Sequence, residues 1–488
     1  MSILNITLNT NEHTNSNTHH NHHHLGQELP EYLEYNEHLK NLYGEINTPY
    51  SFIFKMLSII PEEDFKNKNL KWLDAGAGHG NYSICLFVIL FKSLEPLIPN
   101  EVERKEHIIH NMLYMVELNP DNIVALRTTF GPNANIIEDN YIQWVTDLRF
   151  DYIIGNPPYN CDGVKKVPTK NNASKKEDGN TIWTEFIKQN ISLLKTGGKM
   201  NVLIPSIWMK PDKAGMYELL LQYPIERLHT LDSSEVNKLF NYHVQTPICY
   251  FLLTKRENNE KTQHNTPNTR QIELYDELNN NYISFNLKKE IPIPLCFASI
   301  VNKFLVLRDK YGKLNVIKTN MPPKGAILND SISLAHPFQN VNTTTLNKIS
   351  KCPELQFKYS NEELAFHGEP KIIMAHKMYG FPYVDKEGLY GISSRDNYVI
   401  NNKPVKELEL IKEFLSTELI LFLFETTRYR MRYLEKYVFE YIPDFSKIPE
   451  AVIMYNTKSI DIYKLIGIEE NEKKYIERYY NIKYKFFE

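Results

Sequence analysis

Several features that announce common protein classes are missing or scarce in this chain. No apolar run reaches about 18 residues, so no membrane-spanning helix is expected. The opening stretch, MSILNITLNTNEH, has no positively charged leader followed by a long apolar segment, so secretion is not expected. The chain has five cysteines, Cys85, Cys161, Cys249, Cys296 and Cys352, and no two stand as CxxC. That spacing excludes a cysteine zinc ribbon and a disulfide framework, and it fits a reducing compartment. No metal site is expected: the cluster His22-His23-His24 sits in an Asn/His/Thr-rich tail that cannot bury a core. Nor is there an excess of charge of one sign, with 56 Lys and Arg against 59 Asp and Glu. A net charge of −3 does not announce a nucleic-acid binder, although a local basic face remains compatible with it.

What the chain does contain begins with Asn156-Pro157-Pro158-Tyr159, directly after the apolar run Tyr152-Ile153-Ile154-Gly155. Two consecutive prolines fix φ and remove two N–H donors, and each pushes its predecessor out of the helical region. The result is a stiff, donor-poor strand end. An amide oxygen and a proline carbonyl there can accept two hydrogen bonds from an amino group, and a tyrosine can stack on the ring that carries it. The plain alternative is a rigid loop with an incidental tyrosine.

The pattern around this tetrapeptide is one of alternating strands and helices. Strands are expected at Leu70–Leu73, Leu113–Glu117, Asn135–Ile137, Phe150–Ile154, Met200–Ile204, Ile225–Leu231 and Ile248–Leu253. Helices are expected at Tyr50–Ile60, Tyr82–Leu94, Asp121–Phe130 and Ile182–Leu194, the last stopped by Gly197-Gly198. Such alternation predicts an α/β fold with a mostly parallel sheet that binds ligands at the carboxyl ends of its strands. Residues 1–28 read as a disordered tail, 29–255 as the α/β domain, 256–269 as a polar linker and 270–488 as a separate α+β domain.

The expected strand ends carry chemistry. After the first comes Asp74-Ala75-Gly76-Ala77-Gly78-His79-Gly80. Gly76, Gly78 and Gly80 permit a tight strand-to-helix turn and close approach of a ligand to backbone. The third glycine comes one residue too early for the dinucleotide fingerprint, and no Lys-Ser/Thr follows to make a phosphate loop. Asp74 would repel a pyrophosphate and suits an amino-bearing ligand. Glu117 ends the second strand, where a carboxylate can accept from both ribose hydroxyls. Asp139 follows the third and could accept from an adenine amino group. Each acid alone is more often a solvated loop residue; it is their order along the strands that points to a cofactor.

In this order the motifs resemble those of the gamma-type DNA adenine-N6 methyltransferases of restriction–modification systems. Gly44-Glu45-Ile46-Asn47-Thr48-Pro49 is similar to the N-terminal cofactor motif of that family. DAGAGHG, Glu117, Asp139, NPPY, Lys195-Thr196-Gly197-Gly198 and Leu239-Phe240-Asn241-Tyr242-His243 follow. The resemblance covers roughly residues 40–255, with an apparent insertion at Glu101–His110. It implies a Rossmann-like, seven-stranded methyltransferase sheet with S-adenosyl-L-methionine as cofactor. Thr48, Pro49, Asp74, Gly76, Gly78, Gly80, Glu117, Asp139 and Asn156 would contact that cofactor. The catalytic set would be Asn156, Pro157, Pro158, Tyr159 and Phe240, with Tyr159 and Phe240 on the two faces of an adenine flipped from double-stranded DNA. Lys371–Ile400, with Asp385-Lys386-Glu387-Gly388, is similar to target-recognition regions of the same enzymes.

The implied chemistry is in-line methyl transfer to an exocyclic amine. A cytosine-C5 enzyme would need a nucleophilic cysteine, normally after proline, and the chain has no Pro-Cys pair. Cys161 is near NPPY but lacks neighbours that mark a nucleophile. For DNA contacts, Lys165, Lys166, Lys170, Lys175 and Lys176 beside NPPY are candidates, as are Arg428 and Arg432, set one helical turn apart. Lys371, His376, Lys377 and Arg395 are further candidates, for which salt bridging is an equal reading. A monomer is expected, in the cytoplasm, or in a nucleus or viral factory for a eukaryotic or large-virus source. The resemblance leaves open a separate cognate restriction nuclease as partner; about 30 residues precede the fold, too few for a nuclease domain, and no convincing PD…(D/E)xK set follows, so a restriction subunit is not expected. Open alternatives are an NPPY methyltransferase acting on RNA or on a protein glutamine, and an inactive DNA- or nucleotide-binding module.

Overall fold

The computed structural model describes residues 47–161, 180–211, 215–241, 244, 246–256, 270–288, 290–346, 353–376, 381–429 and 434–483. The chain divides into two compact units, Met1–Trp208 with Asp212–Pro267, and Met209–Pro211 with Asn268–Glu488.

The strands of the first unit are β1 (Trp72–Ala75), β2 (Leu113–Glu117), β3 (Asn135–Glu138), β4 (Phe150–Gly155), β5 (Leu194–Pro205), β6 (Ile225–Leu231) and β7 (Ile248–Thr254). These seven strands of a large mixed sheet run in the order β3-β2-β1-β4-β5-β7-β6. The first five are parallel. β7 is antiparallel to both β5 and β6. The sheet is therefore the mostly parallel α/β sheet expected from the alternating pattern. Its inner strands β1 and β7 are almost wholly buried, which is why β7 reads as a nearly unbroken apolar run.

Helices of this unit include α1 (Tyr50–Leu57) ahead of β1 and, between the strands, α2 (Asn81–Ser93), α3 (Pro120–Phe130), α4 (Trp183–Leu193) and α5 (Ser233–Leu239). Local chemistry sets their starts. Asn119 accepts from the Asp121 N–H at 3.1 Å ahead of Pro120, whose missing N–H costs nothing at the first helical position. Asp232 and Glu235 close a reciprocal capping box on α5. The inserted segment is helical, Glu101–His107 followed by a wider turn at Ile108–Met112, and it leads directly into β2.

Several expected boundaries move; α1 ends at Leu57 rather than Ile60, and β5 begins at Leu194 rather than Met200. β1 is Trp72–Ala75 rather than Leu70–Leu73, and it extends to Asp74 and Ala75, buried strand residues despite their weak apolar signal. Gly197-Gly198 does not stop α4: the helix ends at Leu193, and both glycines lie inside β5. The pairing of β4 jumps there from Phe150–Leu194 to Tyr152–Lys199, so Lys195–Gly198 loops out. Lys195 pairs with Asp151 at 2.7 Å, and the Gly197 N–H donates to the Lys255 carbonyl at 2.8 Å. A Cβ on Gly198 would come within 2.9 Å of two carbonyl oxygens, so the bulge, rather than a helix cap, requires that glycine.

The second unit contains an antiparallel hairpin of Arg270–Asp276 with Asn281–Leu287 and two small sheets, together with helices that include Ala298–Tyr311, Val405–Leu415 and Glu418–Glu425. A fully buried cluster of Val341, Ile373, Ile392 and Val399 belongs to its core. Lys371 points inward, with its ammonium 2.6 Å from Asp385, and both side chains are almost wholly buried. Asp385 also accepts from the Leu389 and Tyr390 N–H groups, each at 3.0 Å. Lys371 therefore pins the turn at Asp385–Tyr390 and is not a surface cation. Arg428 lies beyond the helix that ends at Glu425 and pairs with that buried glutamate. Arg432, Lys377, the lysines at 165–176 and Tyr242-His243 lie outside the described residues. Arg395 is exposed and His376 half-buried.

Candidate active site

Parallel register brings the ends of β1, β2, β3 and β4 to one edge. Asp74 pairs with Met115 and Ile154, and Glu117 with Glu138. The sequence-expected residues Asp74, Gly76, Gly78, Gly80, Glu117, Asp139 and Asn156 therefore converge at the carboxyl ends of the parallel strands.

The turn after β1 is tied to the end of β2. The Gly78 N–H donates to Glu117 Oε2 at 2.7 Å, and the Leu118 and Asn119 N–H groups donate to Oε1 at 3.0 and 2.8 Å. Three backbone donors thus orient one buried carboxylate. The Gly76 and Ala77 N–H groups donate to the Val116 carbonyl. Gly76, Gly78 and Gly80 all have positive φ. Their surroundings differ, however. A Cβ on Gly78 would meet nothing within 4 Å, whereas one on Gly80 would stand 2.7 Å from Leu126 Cδ2 and 3.2 Å from Phe130 Cε2. Gly80 thus lets α2 pack closely on α3, while Gly78 keeps open space above the turn. Asp139 is exposed, with its backbone N–H donating to the Glu117 carbonyl.

Asp74 is 2% exposed. Its Oδ2 accepts from the Ser83 N–H at 3.2 Å and hydroxyl at 2.8 Å, which anchors the start of α2. Its Oδ1 is buried and accepts no hydrogen bond. Burial pushes the carboxyl up to about 7; the Ser83 hydrogen bonds oppose the shift and the Glu117 charge adds to it.

Asn156 follows Gly155 at the end of β4. Its Nδ2 donates to Thr48 Oγ1 at 3.1 Å, and its Oδ1 is buried without a partner. Asn81 Nδ2 donates to the Thr48 carbonyl at 3.0 Å, and Pro49 caps α1 through its carbonyl. Thr48 and Asn156, 108 residues apart, thus meet directly. Pro157 is buried, while Pro158 and Tyr159 are half-buried. Burial around the Tyr159 hydroxyl, with Tyr82 and Cys249 nearby, holds its pKa well above the usual phenol value. Phe240 sits at the C-terminal end of α5 at 7% exposure, closed off as a core aromatic would be.

Four residues of this neighbourhood were not anticipated from the sequence: Asn81, Tyr82, Ser83 and Phe186. The first three occupy the first turn of the helix that follows the glycines, where side chains sit close to the strand ends, and that position is the signal that could have found them. Phe186 on α4 lies over the turn, since a Cβ on Gly76 would come within 3.4 Å of its ring and 3.7 Å of Pro158. Nothing local to Phe186 predicts that contact. Among the described residues no group of His, Cys, Asp or Glu is gathered to hold a metal.

The strand order, the glycine turn and the acids at successive strand ends define a class I S-adenosylmethionine-dependent methyltransferase fold. Residues 82–237 match the model of the Eco57I restriction-modification methylase family. The chain is 25% identical over 220 residues to the type II restriction enzyme and methyltransferase RM.BcgI of Heyndrickxia coagulans, a match covering 43% of this chain and 31% of that protein. It is 23% identical over 198 residues to the type II methyltransferase M.PaeR7I of Pseudomonas aeruginosa, covering 36% of this chain and 33% of that one. The matches thus span about a third of the length of these curated relatives. A solved structure of the type IIL restriction-modification enzyme MmeI in complex with DNA aligns over 93% of this chain and 77% of its own, at 12% identity and a TM-score of 0.45. The resemblance to restriction–modification methyltransferases read from the motifs is borne out, and the cofactor it implies is S-adenosyl-L-methionine. The residues fit such a ligand: there is open space above Gly78, and two buried acceptors, Asp74 Oδ1 and Asn156 Oδ1, have no donor of their own.

Proposed function

We propose that the chain is a site-specific DNA methyltransferase that modifies the N6 amine of adenine in double-stranded DNA. The observation that carries this reading is Asn156 Oδ1, an acceptor buried without a partner at the end of β4. A buried polar atom without a partner costs about 1–3 kcal/mol, so an amino group that satisfies it is strongly favoured there.

S-adenosyl-L-methionine supplies the methyl group, with Asp74, the Gly76–Gly80 turn, Glu117 and Asp139 as the residues to hold it. Asn156 Oδ1 and the Pro157 carbonyl accept one hydrogen bond each from the adenine –NH2. Both bonds strengthen as the nitrogen becomes pyramidal and its lone pair localises. This is positioning and electrostatic preorganisation, with no covalent enzyme intermediate. No base is needed before attack, because the proton can leave after transfer. The amine of a paired adenine is out of reach, so the base must be extruded. Tyr159 stacks on one of its faces and Phe240 borders the other. The second unit, with exposed Arg395 among its basic residues, reads the DNA sequence. The enzyme works as a monomer.

The test is incubation of purified protein with DNA and S-adenosyl-L-methionine, followed by modified-base sequencing. N6-methyladenine at one sequence motif is expected, with Asn156→Ala slowing transfer about 10²–10³-fold, as loss of a transition-state contact does. Absence of methyl label on DNA, or label on RNA or protein instead, would overturn the reading.

A further inference from the structure

We infer that the turn Ser393–Asp396 in the second unit is a base-reading element, with Arg395 the residue that fixes one guanine of the target sequence by a two-pronged contact in the major groove. The inference rests on the function proposed above.

The turn carries the chain from strand Gly391–Ile392, parallel to Phe338–Leu346, to strand Asn397–Ile400, antiparallel to Lys371–Ala375. It thus links the unit's two small sheets. Of residues 391–400, Arg395 is exposed, Asp396 half-buried and the other eight buried. An arginine on a surface turn is ordinarily a solvated cation. What sets this one apart is how the backbone around it is held.

Three neighbouring segments clamp the turn. The Thr319 hydroxyl lies 2.8 Å from the Ser394 carbonyl and 2.9 Å from the Asn397 carbonyl, so it spans Arg395 from both sides. The Asn397 N–H donates back to it at 3.2 Å. From strand Phe338–Leu346, the Asn342 carbonyl accepts from the Ser394 hydroxyl and, at 3.0 Å, from Asn397 Nδ2. The Val341 carbonyl accepts from the Ser393 N–H at 3.0 Å. Beyond the end of Lys371–Ala375, the His376 N–H donates to the Asp396 carbonyl at 2.8 Å. Within the turn, the Asp396 N–H donates to the Ser394 hydroxyl at 3.1 Å. Thr319 is 3% exposed and Asn397 0%. The network also leaves Asn397 Oδ1 buried without a partner, a cost that stability alone does not explain. Its effect is to fix the point and direction from which the Arg395 side chain leaves the backbone.

A phosphate contact does not need this. A long cation reaches a phosphate from many backbone positions, whereas paired hydrogen bonds to guanine O6 and N7 must meet one base edge in one register. Charge points the same way. Asp396 follows directly in the chain and would repel a phosphate, while a base edge carries no net charge. Lys318, opposite Tyr398 across the sheet, turns inward: its ammonium is buried against the Tyr398 ring, 4.6 Å from the ring centre. The exposed cation of the turn is thus a planar guanidinium, whose fork of donors fits the guanine edge.

The test is modified-base sequencing of DNA methylated by the wild type, Arg395→Ala, Arg395→Lys and Thr319→Val, with DNA binding measured against salt. The wild-type motif is expected to contain a G·C pair at which Arg395→Ala loses about tenfold to a hundredfold in discrimination, while the other positions stay fixed. Arg395→Lys is expected to relax the same position, because an ammonium cannot make the paired contact. Thr319→Val releases the clamp and is expected to relax that position and no other. Competition binding of duplexes that differ at one base pair reads the same ratio in a variant too slow to sequence. A motif unchanged at every position in Arg395→Ala would overturn the inference. That holds whether affinity is unchanged, as for a solvated cation, or uniformly weaker with a salt slope lower by about one, as for a phosphate contact. A wild-type motif without a G·C pair would overturn it too. No transfer to DNA by the wild-type protein would instead overturn the proposed function itself.

Discussion

The buried carboxyl of Asp74 makes the stability of the first unit depend on pH in a direction opposite to that of an ordinary surface acid. Its pKa rises from 3.8 to about 7 on folding, chiefly by burial. The folded protein therefore holds this proton more tightly than the unfolded chain does. The stabilisation is fully present below about pH 4, declines as pH rises toward 7, and is gone above that. About three pKa units at 1.36 kcal/mol each gives about 4 kcal/mol across the window. Asp74→Asn removes the charge at nearly constant shape. Its amide oxygen can still accept from the Ser83 N–H and hydroxyl, so the anchor of α2 survives. Urea unfolding of both proteins between pH 4.5 and 8 measures the difference. Intrinsic fluorescence isolates the right unit, because all four tryptophans, Trp72, Trp144, Trp183 and Trp208, are buried in the first one. The variant is expected to gain on the wild type steadily as pH rises, and to be the more stable protein by pH 8. A difference that stays constant to within about 0.5 kcal/mol would refute the assignment, since an Asp titrating near its ordinary value contributes nothing over that range. Cofactor binding adds a second readout. If an ammonium sits against Asp74, affinity rises through pH 7 in the wild type and not in the variant.

Other outcomes follow from the packing. Gly80→Ala places a Cβ 2.7 Å from Leu126 in a left-handed backbone at φ 88°, and a loss of about 1–3 kcal/mol is expected in the first unit by the same fluorescence assay. Lys371→Ala leaves Asp385 buried and without its cation, which typically costs about 3–5 kcal/mol; thermal unfolding followed by circular dichroism should show it. If the Lys371→Ala protein were as stable as the wild type, the buried pair would not be pinning that turn.

How much of this was legible in the sequence depended on the range of the interaction concerned. Strands β2, β4 and β7 stood out as apolar runs, because a strand covered on both faces has few polar positions to blur it. The donor-poor strand end at Asn156 was equally plain, since proline acts on its immediate neighbours. Errors came where a local signal had two causes. Paired glycines at Gly197-Gly198 look the same whether they end a helix or let a strand bulge, and only the register with β4 separates the two. Lys371 carried two equal readings, a DNA contact and a salt bridge, because its partner, Asp385, lies across a strand pair. The acids at the strand ends were visible, but not that Glu117 orients the glycine turn through Gly78, 39 residues before it in sequence. Thr48 and Asn156 were each legible as motif residues, but not that the Asn156 amide nitrogen donates to the Thr48 hydroxyl, 108 residues away in sequence. A motif can name the side chain that must face a substrate; the partners that hold it lie on elements that no local pattern joins.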